Sequence, residues 1–154
     1  MNADTPYFEL KDSGNFLRLT GVKLNHPKAT DSWDRNWLDV KIEFKVDSFY
    51  GHFNGDFMTV DFESFKQQLR RLYDNLKGYA NFDCTDNFVK IRMVGDGLGH
   101  IEANCIVSDD GGFSKSFEFK LELDQTQIPD IIHNLNELTK AYPIEGSFNV
   151  KNEF

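Results

Sequence analysis

The chain has little of what would carry it across a membrane, cross-link it or hold a metal. It contains no run of about 18 apolar residues, the minimum for a membrane-spanning helix. Its start, Met1-Asn2-Ala3-Asp4-Thr5-Pro6, has no basic stretch followed by an apolar one, so no export signal is expected and the expected compartment is the cytoplasm. Only two cysteines occur, Cys84 and Cys105, each in a strand-like segment and neither with a Cys-x-x-Cys partner. In a reducing compartment these are expected to be buried free thiols. The four histidines, His26, His52, His100 and His133, lie in separate segments without metal-ligand spacing, so neither a metal nor another cofactor is expected.

Positive charge is the minority sign, with 17 Lys and Arg against 25 Asp and Glu and a net charge of -8. Neutralising phosphates supplies most of the affinity for nucleic acid, so direct nucleic-acid binding is not expected and a basic protein is the better partner. The competing reading is that the charge only keeps the domain dissolved.

What is abundant is core material. Fifteen phenylalanines in 154 residues give bulky apolar mass of low conformational entropy, and a chain of this length buries roughly two-thirds of its unfolded surface without disulfides. No tract marks a linker and no repeat of about 20 to 50 residues is visible, so one domain over residues 1–154 is expected.

A period of two residues is clearest from Trp37 to Asp47, where Leu38, Val40, Ile42, Phe44 and Val46 alternate with Asp39, Lys41, Glu43 and Lys45. It returns in Val89–Met93, Ile101–Val107 and Phe117–Leu123, joined by the turn formers Gly95-Asp96-Gly97-Leu98-Gly99 and Asp109-Asp110-Gly111-Gly112. Weaker strands are expected at Tyr7–Leu10, Phe16–Leu24, Gly51–Val60 and Tyr79–Phe82.

Two segments carry the helical period. The first sets Phe62, Phe65, Leu69, Leu72 and Leu76 on one stripe, after Asp61 and before Gly78. The second starts at Asp124, with Gln127 at capping-box spacing, and runs through Ile128, Ile131, Ile132, Leu135 and Leu138 to Pro143; Pro129 is tolerated in its first turn. Short connections imply antiparallel pairing, so the expected fold is α+β: a meander-rich antiparallel sheet with two amphipathic helices packed on one face.

Catalytic signatures fail one by one. His100-Ile101-Glu102 has the His-x-Glu of zinc deaminases but no Pro-Cys-x-x-Cys follows. The glycine-rich segment at 95–99 leads into a strand, whereas a phosphate loop leads into a helix. Asp31, Asp34 and Asn36 lack calcium-loop register, and no Gly-x-Ser-x-Gly elbow exists. No catalytic residue is assigned, and the chain is expected not to be an enzyme.

Both tryptophans fall in Asp31-Ser32-Trp33-Asp34-Arg35-Asn36-Trp37-Leu38, beside two carboxylates and just before the clearest strand. Tryptophan is enriched at binding hot spots. Trp37 reads better as packing under the sheet edge, with the Asp side chains ordering the loop, and Trp33 as the surface candidate.

Asp34-Arg35-Asn36-Trp37-Leu38, Leu76-Lys77-Gly78, Gly97-Leu98-Gly99-His100-Ile101, Asp124-Gln125-Thr126 and Tyr142-Pro143-Ile144-Glu145-Gly146, in that order, resemble the WapI-type bacterial immunity proteins from about Phe16 to Gly146. That resemblance implies a protein that binds and neutralises the toxic C-terminal domain of a contact-dependent or wall-associated toxin, often a nuclease. It brings no catalytic residues. Asn36-Trp37 and Asp124-Gln125 could be signatures of fold, a strand-start anchor and a helix cap. The expected toxin contacts are Asp31, Trp33 and Asp34 with the strand-face acids Asp39, Glu118 and Glu122. The rival reading is a small-ligand or regulatory binding domain with a Phe-walled pocket between sheet and helices.

Overall fold

A computed structural model describes residues 5–112 and 114–146. Strands β1 (Tyr7–Asp12), β2 (Asn15–Leu24), β3 (Trp37–Val46) and β4 (Phe49–Met58) form one antiparallel sheet in sequence order. Helix α2 (Thr59–Asn75) follows. Strands β5 (Lys77–Asp83), β6 (Val89–Asp96), β7 (His100–Val107) and β8 (Phe117–Asp124) form a second sheet in sequence order, followed by a 3-10 turn (Gln125–Gln127) and α3 (Ile128–Ala141). A one-turn helix, α1 (Ser32–Arg35), precedes β3. The α+β class and the antiparallel meander hold, but the expected single sheet is two, because β4 and β5 are separated by a helix and do not pair.

The two halves repeat one plan, four meandering strands and then a helix. The helices are exchanged between them: α2 packs chiefly on β5 and on α3, and α3 packs on β1. Neither sheet's apolar face is covered by its own helix alone, and this interlocks the halves. The Phe-rich sequence supplies the joint. Phe8 of β1, Phe57 of β4, Phe62 and Phe65 of α2 and Phe82 of β5 are all fully buried. Their rings meet at centroid distances of 5.4 to 6.0 Å, among them Phe62–Phe82 at 5.4 Å and Phe57–Phe82 at 6.0 Å. Burying each ring is worth roughly 1.5–3 kcal/mol, and offset or edge-to-face contact adds ~0.5–1.5 kcal/mol per pair.

Several boundaries shift for local reasons. Helix α2 starts at Thr59 and places Asp61 in its first turn, where the carboxylate accepts the Met58 N–H (3.0 Å) and also the Thr85 N–H (3.3 Å). It ends at Asn75, with Leu76 left-handed (φ 58°) and outside the helix. Asp124 caps as expected, its side chain accepting from the Thr126 N–H while Gln127 returns to the Asp124 N–H (2.8 Å). Pro129 sits in the first turn of α3. Cys105 lies in β7, but Cys84 lies just beyond β5 rather than in a strand; both are buried and free.

Candidate partner-binding surface

The segment that carries both tryptophans is a built corner. Asp31 is the N-cap of α1, its carboxylate accepting the Trp33 N–H at 2.8 Å. Arg35 donates to the Ala29 carbonyl (2.8 Å), to the Thr30 carbonyl (3.2 Å) and to Glu145 (2.6 Å). The buried Asn36 amide donates to the Glu145 carbonyl (2.8 Å) and the Ser32 carbonyl (2.6 Å), and its oxygen accepts the Glu145 N–H (2.8 Å). Tyr142 lies on Gly21 of β2, close enough that a Cβ there would meet the ring at 2.8 Å. The corner before β3 and the segment after α3 are therefore one cluster, although their residues stand some 110 positions apart. Asn36 anchors the strand start, which is a role in the fold.

On this scaffold Asp31, Trp33 and Asp34 face outward, Trp33 being 45% exposed and set edge-on to the half-buried Trp37 at 6.5 Å. Asp39, half-buried on the outer face of β3, accepts from Asn54 (3.0 Å) and stands directly opposite Asp56 of β4. Asp56 accepts from Asn25 (2.9 Å). Glu118 and Glu122 are exposed on β8, in the other sheet, with Glu122 against His100 (2.5 Å). The six expected contact residues thus form two groups: Asp31, Trp33, Asp34 and Asp39 gather around the start of β3, and Glu118 and Glu122 do not join them.

Composition and spacing did not single out a second feature. Phe49 and Tyr50, at the tip of the β3–β4 hairpin, are 60% and 59% exposed. Phe49 leans on Phe117 (5.4 Å), which stacks on Phe44 (5.3 Å) and meets Phe119 (5.7 Å). Beside this aromatic group is a cleft of about 290 Å³ whose walls include Phe44, Phe53 and Phe117. The signal was present as Ser48-Phe49-Tyr50, two aromatics directly after a turn, but a strand periodicity that begins at Gly51 passes over them.

Reactive groups are held quiet. Burial pushes the Cys84 thiol up to about 11 and the Cys105 thiol up to about 12, which favours the protonated form of both at neutral pH. The Asp110 carboxyl is lowered to about 2 by the Ser108 and Ser114 hydroxyls and the Gly112 N–H, all donating to it within one turn. Asp124 is lowered by the Thr126 hydroxyl and N–H that it caps. These two acids order turns. Among the described residues no three His, Cys, Asp or Glu side chains converge as a metal site, and no helix is long and apolar enough to cross a membrane.

Fold and surface together define an α+β scaffold that presents acidic and aromatic side chains outward from a well-filled core. The chain belongs to the immunity protein WapI-like family, whose model matches residues 8–143. Among curated proteins there is no sequence match. In structure the chain is similar to a chain from Trypanosoma bruciei MRP1/MRP2 crystals, with TM-score 0.50, 10% identity, and coverage of 90% of this chain and 87% of that one. It is also similar to a chain from a guide-RNA-binding protein complex bound to a gRNA, with TM-score 0.47, 12% identity, and coverage of 90% and 91%. At such identity the former likeness is one of fold alone.

Proposed function

We propose that this chain protects its cell by binding the toxic C-terminal domain of a contact-dependent or wall-associated toxin in the cytoplasm and occluding its working surface. The observation that carries this reading is the family match over residues 8–143. The chain's net charge of -8 suits a basic target such as a nuclease, since electrostatic steering raises association rates to as much as ~10⁸ per molar per second. Contacts are proposed for Asp31, Trp33, Asp34 and Asp39, which share one corner, with Trp33 as the anchor and the acids as its charged surround. No catalytic step is required: the role is stoichiometric.

A small-ligand role has weaker physical support. The phenylalanines that would wall a pocket between sheet and helices pack on one another at zero exposure. The test is co-expression of this chain with the toxin domain encoded beside it. Growth rescue together with a co-purifying equimolar complex is expected; a folded chain that neither rescues growth nor binds would refute the proposal.

A further inference from the structure

Four strands end the two sheets, and on three of them a side chain from elsewhere in the fold meets an outward backbone group. The Gln127 side chain donates to the Lys11 carbonyl at the edge of β1 (3.0 Å). On β8 the Glu122 N–H donates to Asp12 (2.9 Å), and β1 lies against β8. The Asn81 N–H of β5 donates to the Gln68 side chain of α2 (2.9 Å). The fourth edge, β4, is different.

A two-residue turn makes Val46 and Phe49 a hydrogen-bonded pair. Antiparallel alternation then points the backbone groups of Tyr50, His52, Asn54 and Asp56 away from β3. Among the described residues no hydrogen bond reaches them. Exposed edges are normally guarded by lysine, proline or a bulge. The sequence of β4, FYGHFNGDFM, has no Lys, Arg or Pro, and its register with β3 is unbroken from Trp37–Met58 to Val46–Phe49. Among the described residues the edge is open from Tyr50 to Asp56, and such an edge is a template for another strand.

Its two ends are also dressed for a partner. At the hairpin tip Phe49 and Tyr50 stand more than half exposed. At the other end Asp39 and Asp56 are directly opposite on the same face, with Asn54 and Asn25 as their hydrogen-bond partners and no ion pair to either among the described residues. Like charges in directly opposed positions repel, and a Lys or Arg placed between them removes that repulsion. The Asp39–Asp56 end adjoins the corner that carries Asp31, Trp33 and Asp34, because Trp37 pairs with Met58.

Resting on the immunity reading, we propose that the cognate toxin docks on the open edge of β4, adding a basic extended segment to the first sheet as a fifth strand. Main-chain hydrogen bonds to Tyr50, His52, Asn54 and Asp56 hold it; Phe49 and Tyr50, which point to opposite faces of β4, each meet a side chain of the added strand near the hairpin tip; Asp39 and Asp56 take a cation at the other end. A second copy of this chain is a poorer occupant, since its β4 has no Lys or Arg and so offers no cation to Asp39 and Asp56.

The test is amide hydrogen exchange on the full chain, free and in complex with the neighbouring toxin domain, alongside titrations of three variants. The amides of Tyr50, His52, Asn54 and Asp56 exchange fast in the free protein and become protected in the complex. F49A/Y50A weakens binding ~30-fold or more, as truncation of a paired aromatic anchor does. H52P removes an outward N–H without touching the β3 ladder, and it weakens binding at least as much. D39N/D56N weakens binding most at low salt and leaves folding unchanged, so an unfolded proline variant does not decide the matter. A wild-type complex in which those amides stay fast, and which F49A/Y50A and D39N/D56N do not weaken, overturns the edge proposal while the immunity reading stands. Failure of the wild-type chain to bind the toxin at all overturns both. Protection of the same amides by the chain's own concentration, without toxin, assigns the edge to a second copy and overturns the occupant named here.

Discussion

Replacing Asn36 by alanine separates fold from binding at the corner where the scaffold meets the proposed contacts. Its amide makes three hydrogen bonds at 2.6 to 2.8 Å, two to Glu145 and one to the Ser32 carbonyl. Each such bond contributes a net ~0.5–1.5 kcal/mol, and the exposed Glu145 groups can be rehydrated once freed, so the loss is about 2–3 kcal/mol and not the full desolvation penalty. The Arg35–Glu145 ion pair is partly exposed and adds at most ~1 kcal/mol if it is lost as well. For a chain of this size that is a fall in melting temperature of about 5–10 °C. Urea unfolding of N36A read by fluorescence of Trp33 and Trp37, which flank the site, measures it. N36D is expected to fare no better: a carboxylate can still accept the Glu145 N–H, but it faces two carbonyls to which it cannot donate. The same N36A protein, assayed where it is folded, binds toxin within about threefold of wild type. An unchanged unfolding midpoint, or binding lost by a folded N36A, would refute the assignment of Asn36 to the scaffold.

Both cysteines should resist alkylation in the native protein at about pH 8 and react fully once unfolded, because burial keeps the thiols protonated; rapid native labelling counted by mass would contradict this. Asp110 titrates near 2 instead of its ordinary 3.8, so its contribution to stability is present above about pH 4 and is lost as pH falls through about 2. Asp110→Asn should therefore be less stable than wild type near neutrality and converge with it in strong acid, and carboxyl NMR that places the titration of Asp110 near 4 would remove the basis for this. Ile42→Asp puts a charge at a fully buried position on β3 and unfolds the chain, whereas Asp34→Lys leaves the melting temperature within a degree or two and weakens toxin binding through a slower on-rate; an unfolded Asp34→Lys chain would show that Asp34 belongs to the scaffold.

Most of the fold is written in local pattern. The alternation from Leu38 to Val46 and in the strands after Val89 decides which side chains point inward, and the register confirms it, with Leu38, Val40 and Ile42 at zero exposure. The Asp124–Gln127 capping box is local too, and it appears as read. The division into two sheets is not local: it depends on whether β4 pairs with β5 across a helix, and neither strand's alternation carries that information. Nor does the repeated plan appear in the sequence, since alternation tolerates any apolar residue at each inward position and the halves need share no motif. Helix α1 was missed because its four residues are too short for periodicity, although Asp31 is a standard cap three positions before Asp34. The Asn36–Glu145 pairing is legible only as two distant stretches carrying the same family resemblance; that they touch is set by the tertiary fold and by no local pattern. The candidate surface was half visible: Trp33 and its acids stood out by composition, while Phe49, Tyr50 and the open edge of β4 depend on which strand ends up last in its sheet.

The central claim is stoichiometric neutralisation, and the direct measurement is the activity of the purified neighbouring toxin domain titrated with this chain. Activity should fall linearly and end at an equimolar point, and F49A/Y50A should flatten that line into a weak-binding curve. A toxin that keeps its activity with a molar excess of folded chain, or that is silenced by a trace of it, would contradict the account.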